Sequence, residues 1–141
     1  IYVVSDERDV VRLRTNYRGE DVYLYRLNAR PELVREVFRD YFTTINHLKE
    51  HPEWYNALTQ NCTTAIRGHI VPYTAARSWP SWKLLINGYL DGRLYETGAV
   101  DRSLPFAELK ARSRINERAR AADERPDFSK KIRAGLPGMS E

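Results

Sequence analysis

The clearest helical pattern in the chain lies between two prolines. After Pro31, apolar side chains recur at helical spacing as far as Leu48, and Pro52 follows shortly afterwards. Proline at the first helical position costs no hydrogen bond, and the residue before a proline avoids the α conformation. The pattern therefore predicts a helix that starts at Pro31 and ends before Pro52.

Three short runs of β-branched and aromatic residues precede this helix. They cover residues 1–5, 10–15 and 21–27, and residues 16–20 are typical of a turn. We expect three strands that form a small antiparallel sheet at the N-terminus. Because helices follow these strands, the expected fold class is α+β, in a single domain over residues 1–141.

Further helices are predicted in the second half of the chain. They are expected from Cys62 to Pro72, over residues 82–90 and 106–122, and in a short segment after Pro126 that closes at Gly135.

The chain contains one cysteine, Cys62, and it follows Asn61, a good helix N-cap. Cys62 is therefore expected in the first turn of a helix, where free N–H groups and the helix dipole lower the pKa of a thiol. The thiolate is the nucleophilic form, so Cys62 is the candidate nucleophile. The alternative interpretation is a small apolar residue packed under the helix.

A cysteine nucleophile needs a base within hydrogen-bond reach, usually a histidine. The chain has three histidines. His69 lies about 10 Å further along the Cys62 helix, too far for direct contact. His47 and His51 lie where a helix meets a proline turn, and the sequence offers neither an orienting residue. The general base stays unassigned.

The segment 47–51 has the inverted zincin spacing of two histidines and a glutamate, His47, Glu50 and His51. Pro52 disfavours the α conformation at His51, and no third ligand is identified. A polar helix end is the favoured interpretation, and we predict no metal site and no cofactor.

Composition narrows the function classes. The net charge of +4, mean hydropathy of -0.63 and 42% apolar residues indicate a globular domain with a solvated surface. No apolar run approaches the ~18–20 residues of a membrane span. No nucleic-acid-binding motif accompanies the basic residues, so nucleic acid is not an expected partner. The basic C-terminal segment is compatible with an anionic membrane surface, but a solvated helix face of mixed charge is the favoured interpretation. Since the chain begins at Ile1, we expect it to be part of a longer protein.

Several segments resemble the Lnb N-terminal periplasmic domain family. The similar segments are residues 6–15, 21–27, 53–58, 61–64, 84–91, 94–96, 98–101, 103–109, 113–116, 126–129 and 136–138. The resemblance implies a circularly permuted, papain-like cysteine fold in which the helix that starts at Cys62 packs on an antiparallel sheet. It also implies a histidine on a strand upstream of the nucleophile, so this chain is expected to be the C-terminal portion of that domain.

The resemblance further implies a periplasmic lipoprotein N-acyltransferase, associated with the inner membrane through segments outside this chain. Cys62 would attack the acyl ester of a phospholipid, and an amine of a lipoprotein would resolve the thioester. The backbone N–H of Cys62, with Asn61 or Tyr55, would bind the substrate oxyanion. A helix cap and a core aromatic are the alternative roles of Asn61 and Tyr55.

Two other function classes stay open. A cysteine peptidase or amidase would use the same thiolate to cleave a peptide or amide bond. A non-catalytic interaction module would keep the fold without a base near the sulfur, since the family's upstream histidine has no counterpart in this chain.

Overall fold

The structure is a computed structural model that describes residues 2, 4–54, 62–73 and 90–139. The chain divides into two compact units, one formed by Ile1–Tyr2 and Ala29–Arg93, the other by Val3–Asn28 and Leu94–Glu141. The described residues contain seven α-helices: α1 Glu7–Arg12, α2 Pro31–Glu50, α3 Cys62–Ile70, α4 Leu90–Glu96, α5 Phe106–Ser113, α6 Asn116–Ala122 and α7 Phe128–Arg133. None of these helices is long and apolar enough to cross a membrane.

The long helix α2 of the first unit confirms the prediction between the two prolines. Arg30 is extended, with ψ at 142°, and Pro31 then occupies the first turn. The helix ends at Glu50, and His51 leaves the α conformation at φ -128° and ψ 81°. Pro52 is the physical reason for this ending, because its ring disfavours the α conformation at the preceding residue.

Helix α3 starts at Cys62, as the sequence predicts. It ends at Ile70 and continues as a 3-10 turn over Val71–Tyr73, which contains Pro72. The helix predicted over residues 82–90 lies outside the described residues except for Leu90, where α4 begins.

The first predicted strands are wrong where the structure describes them. Glu7–Arg12 is α-helical, and the chain continues as a π-helix over Leu13–Tyr17. The side chain of Asp6 accepts a hydrogen bond of 2.8 Å from the backbone N–H of Arg8, and acidic residues occupy the first turn of α1. This N-cap and the favourable charge at the helix start outweigh the β-branched residues that follow.

The third predicted strand, residues 21–27, forms only two isolated bridges. Tyr23 pairs with Arg114, and Leu27 pairs with Val100. The described part of the chain therefore contains no strand or sheet. The expected α+β class, the antiparallel sheet and the papain-like packing of the α3 helix on that sheet are all wrong for this structure.

The helix predicted over residues 106–122 is two helices, α5 and α6. The break falls at Arg114, which is extended with ψ at 123°. Arg114 bridges to Tyr23 there, and its guanidinium donates two hydrogen bonds, of 2.9 and 2.7 Å, to one carboxylate oxygen of Asp21. These contacts with a distant segment replace the helical hydrogen bonds that would have continued α5.

The core of the second unit lies around α6 and α7. Its buried residues are Ile115, Ala119, Ala122, Phe128, Ile132 and Leu136. Gly135, with φ at +68°, ends the last helical segment in the left-handed conformation that the sequence predicts there.

Candidate functional site

Cys62 occupies the first position of α3, and no acidic residue lies in the first turn of that helix. The positive charge of the free N–H groups and of the helix dipole at this end is therefore not offset by an acidic side chain of the same turn. In general, such a helix N-terminus stabilises a thiolate. The other two predicted site residues, Asn61 and Tyr55, lie outside the described residues.

The structure also places a buried histidine at the other end of α3. His69 is only 4% exposed, and both of its ring nitrogens are hydrogen-bonded. Nδ1 lies 2.5 Å from Oδ2 of Asp40 on α2, and Nε2 lies 2.7 Å from the hydroxyl of Tyr2. Asp40, His69 and Tyr2 therefore form one hydrogen-bonded chain inside the first unit.

The protons in this chain follow from the chemistry of its members. A carboxylate can only accept, so Nδ1 of His69 donates to Asp40, and in the neutral ring Nε2 accepts from the Tyr2 hydroxyl. Burial, and then the charge of Asp40, raise the pKa of Tyr2. The phenol thus keeps its proton at neutral pH and serves as the donor.

Aromatic rings enclose the imidazole of His69. Tyr41 stacks on it with ring centroids 4.0 Å apart, and Tyr2 meets it edge-on at 5.7 Å. Burial, followed by the neighbouring Tyr2, raises the pKa of Tyr41. The surroundings of His69 are thus largely apolar apart from its two hydrogen-bond partners, Asp40 and Tyr2.

The two functional candidates on α3 are separated by helix geometry. Seven residues of one α-helix span about 10 Å, so the backbones of Cys62 and His69 are far apart. Both nitrogens of His69 already have partners in Asp40 and Tyr2. His69 therefore ties α3 to α2 and is not positioned to deprotonate the sulfur. The sequence analysis missed this role, because the only local signal was a histidine on a helix with apolar neighbours.

The zincin-like pair lies exposed at the end of α2. The rings of His47 and His51 stack with centroids 4.8 Å apart, and His51 is already outside the helix. Among the described residues no group of three His, Cys, Asp or Glu side chains could hold a metal ion.

Helix α3 carries one more feature that the sequence did not indicate. Nε of Arg67 is buried and has no hydrogen-bond partner among the residues that the structure describes. A buried donor without a partner has a cost in stability of about 1–3 kcal/mol.

Comparison with known proteins identifies one family. A family model described as the Lnb N-terminal periplasmic domain matches residues 1–88, which include α2, α3 and Cys62. No curated protein and no solved structure matches the chain. The match covers more than half of the chain, and the resemblance noted beyond residue 88 stays a prediction.

Proposed function

Because the chain belongs to the Lnb N-terminal periplasmic domain family, we propose that it acts in the periplasm as a cysteine-dependent acyltransferase with Cys62 as its nucleophile. The acyl donor is a phospholipid and the acceptor is the amine of a lipoprotein. The observation that carries the proposal is the start of α3 at Cys62, with no acidic residue in its first turn.

The proposed reaction has two acyl-transfer steps. The Cys62 thiolate attacks the ester carbonyl of the lipid, a C–S bond forms, the C–O bond breaks, and the lysolipid alkoxide leaves with a proton. The lipoprotein amine then attacks the thioester carbonyl, an amide bond forms, and the C–S bond breaks. The amine loses a proton, and the cysteine returns as the thiol or thiolate. Neither step needs a metal or a cofactor.

The helix N-terminus contributes to both steps. Its free N–H groups stabilise the thiolate before attack, and they are suited to the oxyanion that forms at the carbonyl carbon. We therefore expect the pKa of the Cys62 thiol to lie below the ordinary value of about 8.5.

The first test is the rate of alkylation by iodoacetamide between pH 5 and pH 9. Because the chain has one cysteine, every alkylated thiol is Cys62. An activated thiol reacts at neutral pH faster than the cysteine of a short unstructured peptide, with its midpoint shifted to lower pH. A midpoint at or above that of the peptide overturns the proposal.

The second test follows the acyl group itself. The protein is incubated with a phospholipid that carries a fluorescent acyl chain, and the label on the protein is treated with neutral hydroxylamine, which cleaves thioesters. The expected result is a hydroxylamine-sensitive label on the wild type that is absent from both Cys62→Ala and Cys62→Ser. Equal labelling of wild type and Cys62→Ala would end the nucleophile hypothesis.

A further inference from the structure

A second feature with the chemistry of a binding site lies in the second unit, between α6 and α7. It is a cavity of about 340 Å³. The described residues that line it are Arg118, Ala121, Ala122, Arg125 and Lys131. Three cationic side chains and two alanines thus surround the cavity, and none of these lining residues is acidic.

The fold holds this arrangement in place. Ala119 and Ala122 bury one side of α6 against Phe128 and Ile132, which leaves Arg118 at the edge of the core. The turn to α7 is closed by a hydrogen bond of 2.8 Å from the backbone N–H of Arg125 to the carbonyl of Ala122. The cavity therefore lies beside the buried core of this unit.

The three cations differ in how far other residues neutralise them. The guanidinium of Arg125 donates to both carboxylate oxygens of Asp127, at 2.9 and 3.2 Å. Lys131 lies close enough to Asp127 to help lower the pKa of that carboxyl, after the larger effect of Arg125. Arg118, by contrast, makes no ion pair with any residue in the described part of the chain. Of the three cations that line the cavity, Arg118 is therefore the least neutralised by the described residues.

Arg118 also borders a neighbouring cavity of about 430 Å³, together with Arg112, Arg114 and Glu117. Arg112 is paired with Glu108, and Arg114 with Asp21. The segment 105–139 carries nine basic and five acidic residues, an excess equal to the net charge of the whole chain. The segment that contains Arg118 thus carries a net positive charge, which attracts anions.

We propose that the cavity formed by Arg118, Arg125 and Lys131 is a binding site for a phosphate group, and that its source is the headgroup of an anionic phospholipid. The arginine fork matches two phosphate oxygens, and lysine adds a point charge. The volume is at the low end for ligand sites and suits a headgroup without its acyl chains. This site does not depend on the chemistry assigned to Cys62.

The test compares Arg118→Gln with Arg120→Gln. Arg120 is an exposed residue of the same helix that does not line the cavity, so the two variants lose the same charge at different places. Binding is measured by sedimentation with vesicles of phosphatidylcholine containing phosphatidylglycerol, and with vesicles of phosphatidylcholine alone. We expect wild type to bind only the anionic vesicles. Arg118→Gln should weaken this binding about tenfold, because a hydrogen bond from a charged group to the phosphate is lost, while Arg120→Gln leaves it nearly unchanged.

Equal losses of vesicle binding in Arg118→Gln and Arg120→Gln would show a general charge effect and overturn the proposed site. Equal binding of wild type to both kinds of vesicle would also overturn it. Lys131→Gln is the second variant, because Lys131 is exposed and its replacement does not disturb the core. It should also weaken anionic vesicle binding. Far-UV circular dichroism confirms that each variant is folded.

Inorganic phosphate distinguishes the source of the ligand. Its effect on the melting temperature is compared with that of chloride at equal ionic strength. One outcome would support the phosphate site but overturn the lipid source. In that outcome phosphate stabilises wild type and Arg120→Gln but not Arg118→Gln, and neither substitution changes vesicle binding. If neither phosphate nor anionic vesicles bind in an Arg118-dependent way, the proposal is wrong.

Discussion

Asp40 of α2 and His69 of α3 are joined through a contact of 2.5 Å between Oδ2 and Nδ1, although 29 residues separate them in the chain. His69 is almost fully buried, whereas the Asp40 side chain is 36% exposed. The carboxylate thus reaches from a partly solvated position to the buried imidazole. This contact links the helix that begins at Cys62 to the longest helix of the first unit.

Replacing Asp40 by Ala should therefore lower the free energy of unfolding by about 1–3 kcal/mol, because a buried ring nitrogen loses its acceptor. Urea denaturation followed by circular dichroism measures the change. The control on the same helix is Glu36→Ala, which removes an exposed ion pair with Arg39. Its cost should be about 0.5 kcal/mol or less. Equal costs for the two variants would show that the Asp40–His69 contact is no stronger than a surface pair.

Local signals were sufficient for α2 and for the start of α3. Pro31 and Pro52 act on the residues next to them, and the apolar spacing between them has a period that only a helix satisfies. The start of α3 at Cys62 was predicted from its neighbour Asn61 in the same way. These features need no information from distant parts of the chain.

The wrong predictions arose where distant contacts decide the structure. The composition of residues 21–27 favours a strand, but Leu24 donates a backbone hydrogen bond to Ser113 and Val22 accepts one from Ile115 instead of pairing with a neighbouring strand. At residues 10–15 the spacing of the apolar residues does not distinguish a helix from a strand, and the N-cap at Asp6 favours the helix. The chain of Asp40, His69 and Tyr2 spans 67 residues, so no local spacing could indicate it.

Asn116 helps to hold the start of the segment 21–27 through hydrogen bonds to its backbone and to the backbone of Glu20. It is fully buried, its Oδ1 accepts from the backbone N–H of Val22 at 2.9 Å, and its Nδ2 donates to the carbonyl of Glu20 at 2.8 Å. Asn116→Ala should lower the free energy of unfolding by about 2–4 kcal/mol, because two backbone groups lose their partners.

The matched control for this substitution is Asn28→Ala. Asn28 is exposed, and its side chain donates one long hydrogen bond, of 3.3 Å, to the carbonyl of Gly98. Water can replace that contact, so we expect a loss below about 1 kcal/mol. Chemical denaturation measures both variants, and a larger loss at Asn28 than at Asn116 would contradict this account of the segment.

Ile132 of α7 tests the core of the second unit. It is fully buried beside Phe128, so Ile132→Ala removes apolar contacts and leaves a cavity. The expected loss is about 2–5 kcal/mol, and Ile132→Val should lose only about 0.5–1.5 kcal/mol. Leu13→Ala is the control, since Leu13 is 46% exposed and a surface substitution changes stability by about 0.5 kcal/mol or less. Thermal unfolding should rank the three variants in this order.

The ion pair between Glu7 and Arg133 gives the second unit a dependence on acid. Arg133 donates to both carboxylate oxygens of Glu7, at 2.6 and 2.7 Å. These hydrogen bonds hold the pKa of Glu7 below its ordinary value, against the opposing effect of partial burial. A carboxyl whose pKa is lower in the folded state binds protons more readily when unfolded. Its contribution is present above the unfolded pKa of about 4.3 and is lost as the pH falls through the folded value.

Glu7→Gln should therefore cost up to about 1 kcal/mol at pH 7, a limit set by the partial exposure of both side chains, and the cost should shrink in acid. Urea denaturation of wild type and variant at a series of pH values from about 7 to about 3 measures this difference. In an Arg133→Gln background the same Glu7 substitution should have little effect at any of these pH values, because the partner that lowers the pKa is gone. A difference that grows as the pH falls, or that persists without Arg133, would show that this ion pair does not cause the acid sensitivity.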